Sequence, residues 1–100
     1  MDYTIIHPGG LVDAYGTPNA QRKVLLDVDD NLFLDKNLSR TCISREDVAE
    51  LCVSALNVGR GKKVSFDCIA TETQNEVLKT SDETLLEFFD ESKTANYSLV

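Results

Sequence analysis

The run Tyr3-Thr4-Ile5-Ile6, closed by His7-Pro8-Gly9-Gly10, constrains this chain more than any other feature of its sequence. It is a short stretch of β-favouring residues without polar alternation, which predicts a strand covered on both faces, as in a parallel sheet. A parallel strand needs partner strands at its edges and helices over its faces. The expected class is therefore α/β. No strand-forming sequence precedes Tyr3, so the run reads as a strand whose neighbours lie elsewhere, and the fold as incomplete by itself. Residues 8 to 21 hold three glycines and two prolines and read as loop.

Farther on, Lys23-Val24-Leu25-Leu26-Asp27-Val28 and Leu32-Phe33-Leu34 flank Asp29-Asp30-Asn31, the pattern of a hairpin around an Asp/Asn turn. Thr41-Cys42-Ile43 reads as a short extended segment leading into the clearest helix. Ser44 is a suitable N-cap, with Asp47 three residues on in place of a capping-box glutamate. Val48, Leu51, Cys52, Ala55 and Leu56 recur at helical spacing, and Gly59 and Gly61 punctuate the end. Val64-Ser65-Phe66-Asp67-Cys68-Ile69 alternates as a strand does. A last helix is predicted where Thr80 and Glu83 form a capping box ahead of Leu85, Leu86, Phe88 and Phe89.

Composition narrows the function classes. The net charge is −7 in 100 residues, and nucleic-acid binding, which needs a basic face, is not expected. Seven carboxylates and one lysine lie between Glu72 and Glu91, so residues 70 to 100 read as an acidic tail carrying one helix, either solvated or used for docking. No apolar run approaches the roughly 20 residues of a membrane span, and no secretory signal is readable. Cys42, Cys52 and Cys68 form no C-x-x-C pair, and the single histidine, His7, is distant in sequence, so a zinc site is not expected. All three read as reduced core thiols, consistent with a reducing intracellular compartment such as cytoplasm or plastid.

Three segments carry a resemblance. Tyr3 to Leu11 is similar to the sixth strand and following loop, Y-T-I-I-R-P-G-G/A-L, of atypical short-chain dehydrogenase/reductases, a family with an NAD(P)-binding Rossmann-type fold. Ile43-Ser44-Arg45-Glu46-Asp47-Val48-Ala49-Glu50 resembles the family's V-x-R-x-D-V-A segment, and Val64-Ser65-Phe66-Asp67 its last sheet strand. The three occur in the family's order over residues 3 to about 69. The resemblance implies the C-terminal part of a doubly wound sheet with an inserted hairpin, residues 1–69, followed by the tail, residues 70–100. It also implies that His7, Pro8, Gly9 and Gly10 lie against the nicotinamide end of NAD(P), with Leu11 and Val12 on the substrate wall. No G-x-G-x-x-G and no Y-x-x-x-K occurs, so the chain supplies neither a pyrophosphate site nor a Tyr/Lys proton-transfer pair. No catalytic residue is therefore assigned, and NAD(P) is expected in the intact protein but not on this chain alone. The expected partner is the remainder of the parent domain or a larger complex. The intact protein is then a reductase or isomerase, a non-catalytic nucleotide-binding scaffold or assembly factor, or this chain is a small interaction module.

The remaining motifs are weaker. His7 stands where the family has arginine, and nothing near it in sequence orients it as a base. Asp27-Val28-Asp29-Asp30-Asn31 opens like an EF-hand loop but meets Leu32 where glycine is required and Leu38 where glutamate is required. Arg45 reads as the partner of a neighbouring carboxylate, and Asp47 as a group answering the helix start. The sequons at Asn37 and Asn96 read as chance matches.

Overall fold

The computed structural model describes residues 2–15, 21–35, 41–73 and 77–91. The described residues form five strands and three helices in the order β1 (Tyr3–Pro8), β2 (Gly10–Val12), β3 (Gln21–Asp27), α1 (Asn31–Leu34), β4 (Cys42–Ser44), α2 (Arg45–Val58), β5 (Lys63–Thr73) and α3 (Ser81–Asp90). The radius of gyration, 13.4 Å, is that of a packed chain of this length. The class is mixed α/β, as expected.

Strand β5 is the centre of a three-stranded mixed sheet of order β1-β5-β3. It runs parallel to β1 from Tyr3↔Lys63 to Pro8↔Cys68 and antiparallel to β3 from Gln21↔Thr73 to Asp27↔Asp67. Six consecutive residues, Ser65 to Ala70, are buried. The strand covered on both faces is thus β5. On one face Phe66, Cys68 and Ala70 join Val28, Ile43, Leu51, Leu85 and Phe88 in the core. Phe66 and Phe88 meet edge-to-face, centroids 5.3 Å apart. The opposite face carries Ser65, Asp67 and Ile69. A separate two-stranded parallel sheet, β2 with β4, follows β1 and leads into α2.

Strand β1 departs from the expectation of two covered faces. Its exposure alternates: Thr4, Ile6 and Pro8 are half-buried, while Tyr3, Ile5 and His7 are exposed, Ile5 at 40%. Ile6 packs on the core, and among the described residues no helix covers Ile5. Nor is β1 without a partner, since β5, nearly sixty residues downstream, supplies one. The amides of Tyr3 and Gly9 donate to the carbonyls of Lys62 and Cys68, so by strand alternation the amides of Thr4 and Ile6 face the open edge. Pro8 sits at the position whose missing N–H would point the same way, which is where an edge strand tolerates proline.

The expected hairpin is also replaced. Asp29 and Asp30 both adopt φ 59°, turning the chain out of β3, and Asn31–Leu34 makes one helical turn that buries Leu32. Strand β3 pairs with distant β5 instead of a local return strand. Asp30 N–H donates to the Asp67 carboxylate at 2.9 Å, which anchors the turn to the central strand.

Both predicted helices form. Ser44 Oγ accepts from Asp47 N–H at 3.1 Å, and Thr80 and Glu83 make the reciprocal capping box. The inward face of α2 is rotated from the expected stripe. Leu51 and Ser54 are buried, with Val48, Ala55 and Val58 packed beside them, while Cys52 is exposed and Leu56 is 79% exposed. Helix α3 brings Leu85 and Phe88 into the same core, so the helix of the acidic segment is part of the domain's packing. The sequon asparagines lie outside the described residues. Among the described residues no helix is long and apolar enough to cross a membrane.

The cysteines thus divide, against the reading of three core thiols. Cys68 is buried, Cys42 intermediate and Cys52 exposed. Burial, with the adjacent Asp67 charge adding to it, pushes the Cys68 thiol from 9.0 up to about 12. Thiol labelling of the folded chain near neutral pH is expected to modify Cys52 first and Cys68 only on unfolding. Mass mapping of the labelled cysteines checks that order.

Candidate functional site

Parallel pairing ends β1 at Pro8 opposite Cys68, near the middle of β5, whose own end lies farther on at Thr73. Open α/β sheets bind ligands beyond the carboxyl ends of such strands. His7 pairs in register with Asp67, and Asp67 in turn with Asp27 across β3, so the three occupy one row on the face opposite Phe66. The His7 side chain is 43% exposed, whereas Asp67 is fully buried, with their Nδ1 and Oδ1 atoms 4.0 Å apart. His7 Nε2 lies 3.4 Å from Ser65 Oγ, on a serine that is itself buried. Burial of Asp67 is offset by the Asp30 amide, which donates to its carboxylate at 2.9 Å.

The residues singled out in the sequence lie together along this edge. His7 and Pro8 end β1, Gly9 turns, and Gly10, Leu11 and Val12 form β2 against Cys42, Ile43 and Ser44. Leu11 is exposed and Val12 half-buried. A side chain on Gly9 would place its Cβ 2.2 Å from the Thr41 carbonyl oxygen and 3.0 Å from Ile69 Cγ2. The space that Gly9 saves is filled by the protein's own backbone, and it forms no cradle for a flat ring. At Gly10 the nearest atoms to such a Cβ stand 3.9 Å away, leaving that backbone open.

A second cluster fixes the start of α2. Tyr15 OH donates to the Asp47 carboxylate and accepts from Ser44 N–H at 2.9 Å. The Arg22 guanidinium lies 4.8 Å from the centre of the Tyr15 ring and reaches Glu72 at 3.3 Å. Asp47 therefore holds a tyrosine with its side chain and answers the helix start with its amide. Arg45 pairs at 2.9 Å with a carboxylate, that of Asp13, which lies 32 residues away in sequence rather than beside it. Beside this cluster a cavity of about 400 Å³ lies between β3, α2 and α3, lined by Arg22, Leu26, Glu50, Leu51, Thr84 and Phe88 among others. Its size is that of a small-ligand pocket. Arg22 Nε, buried, has no hydrogen-bond partner. Among the described residues no three His, Cys, Asp or Glu side chains are placed to hold a metal ion.

Burial first, and then the hydrogen bond to Asp47, raises the Tyr15 hydroxyl above its ordinary 10.0. A raised folded-state value stabilises the fold fully below pH 10.0, and that contribution is lost as pH climbs through the folded-state value. Tyr15→Phe is expected to remove this part of the alkaline decline and to destabilise the native chain by about 1 kcal/mol near neutrality, because Ser44 N–H loses its acceptor. Urea unfolding midpoints measured from neutral to strongly alkaline pH check both.

Asp67, Ser65 and Tyr15 are the site residues that sequence reasoning passed over. A carboxylate inside the apolar strand Val64 to Ile69 was the available signal, since a buried acid requires a partner. Nothing local gives the register that sets His7 across from it, or brings the Asp30 amide to it as a donor. No protein-family model matches the chain, and no curated protein matches it.

Proposed function

We propose that the chain is the C-terminal, substrate-side segment of an NAD(P)-binding protein of the short-chain dehydrogenase/reductase type, inactive on its own. The observation that carries this reading is the parallel β1–β5 pair, joined through α2, with the Pro8-Gly9-Gly10 turn at the carboxyl end of β1. A doubly wound sheet needs that pairing and that placement of the loop. The three sequence resemblances fall on β1, on the start of α2 and on β5. The open edge of β1, beside exposed Tyr3 and Ile5, is where the remainder of such a sheet would continue. His7 to Val12 would then form one wall of the cleft, with Leu11 and Val12 on the substrate side. The chain has no residues that fit the pyrophosphate of a dinucleotide, so that part of the site belongs to the parent.

The transcript upstream of Met1 tests the reading. An in-frame strand-helix series containing G-x-G-x-x-G supports it, and an immediate in-frame stop codon sinks it. With Y-x-x-x-K also present the parent is an enzyme, and with the glycine motif alone a nucleotide-binding scaffold. The isolated chain is expected to show no micromolar affinity for NADPH in a fluorescence titration. The open β1 edge also suits a small interaction module, which an upstream stop codon would favour.

A further inference from the structure

We propose that the open edge of β1 receives a second copy of this chain, the two strands pairing antiparallel about a two-fold axis through Ile5 to make one continuous sheet. A parent of the proposed kind would cover this edge in line, whereas the chain itself covers it by symmetry.

The odd-numbered residues of β1 bond to β5, as the Tyr3 and Gly9 amides do, so Thr4 and Ile6 turn both N–H and C=O outward. Among the described residues no strand pairs with that side of β1. About an axis through Ile5, Thr4 of each copy falls opposite Ile6 of the other, and each such pair exchanges both backbone bonds. Pro8, which has no N–H, falls opposite Asp2 at the end of the ladder, where a missing donor matters least. The other edge strand, β3, carries Arg22 and Lys23, charges of the kind that oppose edge pairing, but Tyr3 to Pro8 holds no Lys, Arg, Asp or Glu.

Both faces of the sheet gain by the same operation. On one, Tyr3 is 38% exposed and Ile5 40%, and the axis sets Ile5 against Ile5 and Tyr3 against His7 of the other copy. On the other, a Cβ on Gly59 would stand 3.4 Å from Thr4 Oγ1, so the Ala55 and Gly59 side of α2 lies over β1. Helix α3 packs on the far side of α2 and on β3. At about 100° per residue, Cys52 and Leu56 continue the Gly59 side outward, away from α3. Cys52 is exposed and Leu56 79% exposed. An axis normal to the sheet keeps both α2 helices on one face and turns these side chains towards each other.

Charge selects a second copy as the occupant. The chain carries −7, yet neither β1 nor the Ala49, Cys52 and Leu56 side of α2 holds a carboxylate. Arg60, Lys62 and Lys63 outnumber Asp2 where β1 begins, while Asp67 and Asp27 share the row of His7 where it ends, with Asp29 and Asp30 beyond. Antiparallel pairing brings the basic end of each copy towards the acidic end of the other, and a parallel pair would set like beside like. The contact is isologous, so assembly stops at two.

Sedimentation equilibrium of the native chain is expected to give twice the mass of one chain. Ile5→Lys and Ile5→Glu, each placing like charges face to face across the axis, should each sediment as folded monomers, and an equimolar mixture of the two should return to the dimer mass. Thr4→Pro, which removes only an outward N–H, should also be monomeric. A native monomer, a native species larger than a dimer, a folded Ile5→Lys chain that stays dimeric, or a mixture that stays monomeric overturns the proposal. Should the variants fail to fold, amide exchange of the native chain decides: Thr4 and Ile6 protected more strongly as concentration rises supports the dimer, and free exchange at both overturns it. None of these readouts involves sequence upstream of Met1, so the dimer and the proposed function fail separately.

Discussion

Gly9→Ala is expected to destabilise the fold by about 1–3 kcal/mol or more, whereas Gly10→Ala, one residue on, should change stability by no more than about 0.5 kcal/mol. The difference follows from what each new methyl would meet. At Gly9 it would stand 2.2 Å from the Thr41 carbonyl oxygen, a backbone atom that no rotamer change can move. Gly9 N–H also donates to Cys68 and Gly10 N–H to Thr41, both at 2.9 Å, so the chain is held on both sides of the clash. Relief requires shifting the junction of β1, β2 and β4 as a unit. At Gly10 nothing lies closer than 3.9 Å. Urea unfolding of the two variants beside the native chain measures the contrast. A Gly9→Ala chain as stable as the native one would remove the packing role and return this glycine to the service of a ligand.

That contrast also marks how far the sequence was legible. Pro8-Gly9-Gly10 announced a turn of small residues at a strand end, and the turn is there. Which glycine was needed, and by what, depended on Thr41 and Ile69, whose approach no local pattern encodes. Capping chemistry was readable at Ser44 and Thr80 because it acts within four residues. The expected hairpin gives way because β3 pairs with β5, 40 to 52 residues downstream, and two left-handed aspartates release Leu32-Phe33-Leu34 into a helical turn. Apolar spacing located α2 but left its rotation open: Cys52 and Leu56 flank the stripe and are as apolar as Ala55, and only the position of the sheet and α3 decides which side turns inward. Long-range pairing likewise hid the site. His7 looked unsupported in sequence, yet β5 sets Asp67 directly across from it.

Phe66→Ala is expected to cost about 3–5 kcal/mol, the range for emptying a fully buried aromatic site, and so to leave a domain of this size close to unfolded. Phe66 is fully buried on the central strand, where its ring meets Phe88 of α3 edge-to-face. Phe88→Ala should approach the same loss, since Phe88 is itself only 4% exposed. The two losses should not add. The rings share one contact, and its coupling is expected at about 0.5–1.5 kcal/mol in a double-mutant cycle. This pair therefore tests whether the acidic C-terminal segment is structural. If α3 were only a solvated appendage, Phe88→Ala would leave the urea midpoint where it is and Phe66→Ala would act alone. If α3 closes the core, the whole chain is expected to unfold cooperatively, and removing residues 77–100 should abolish that transition. A native chain lacking any sharp transition would sink this prediction at the outset, for then Phe66 and Phe88 would not be packed closely enough for either substitution to register.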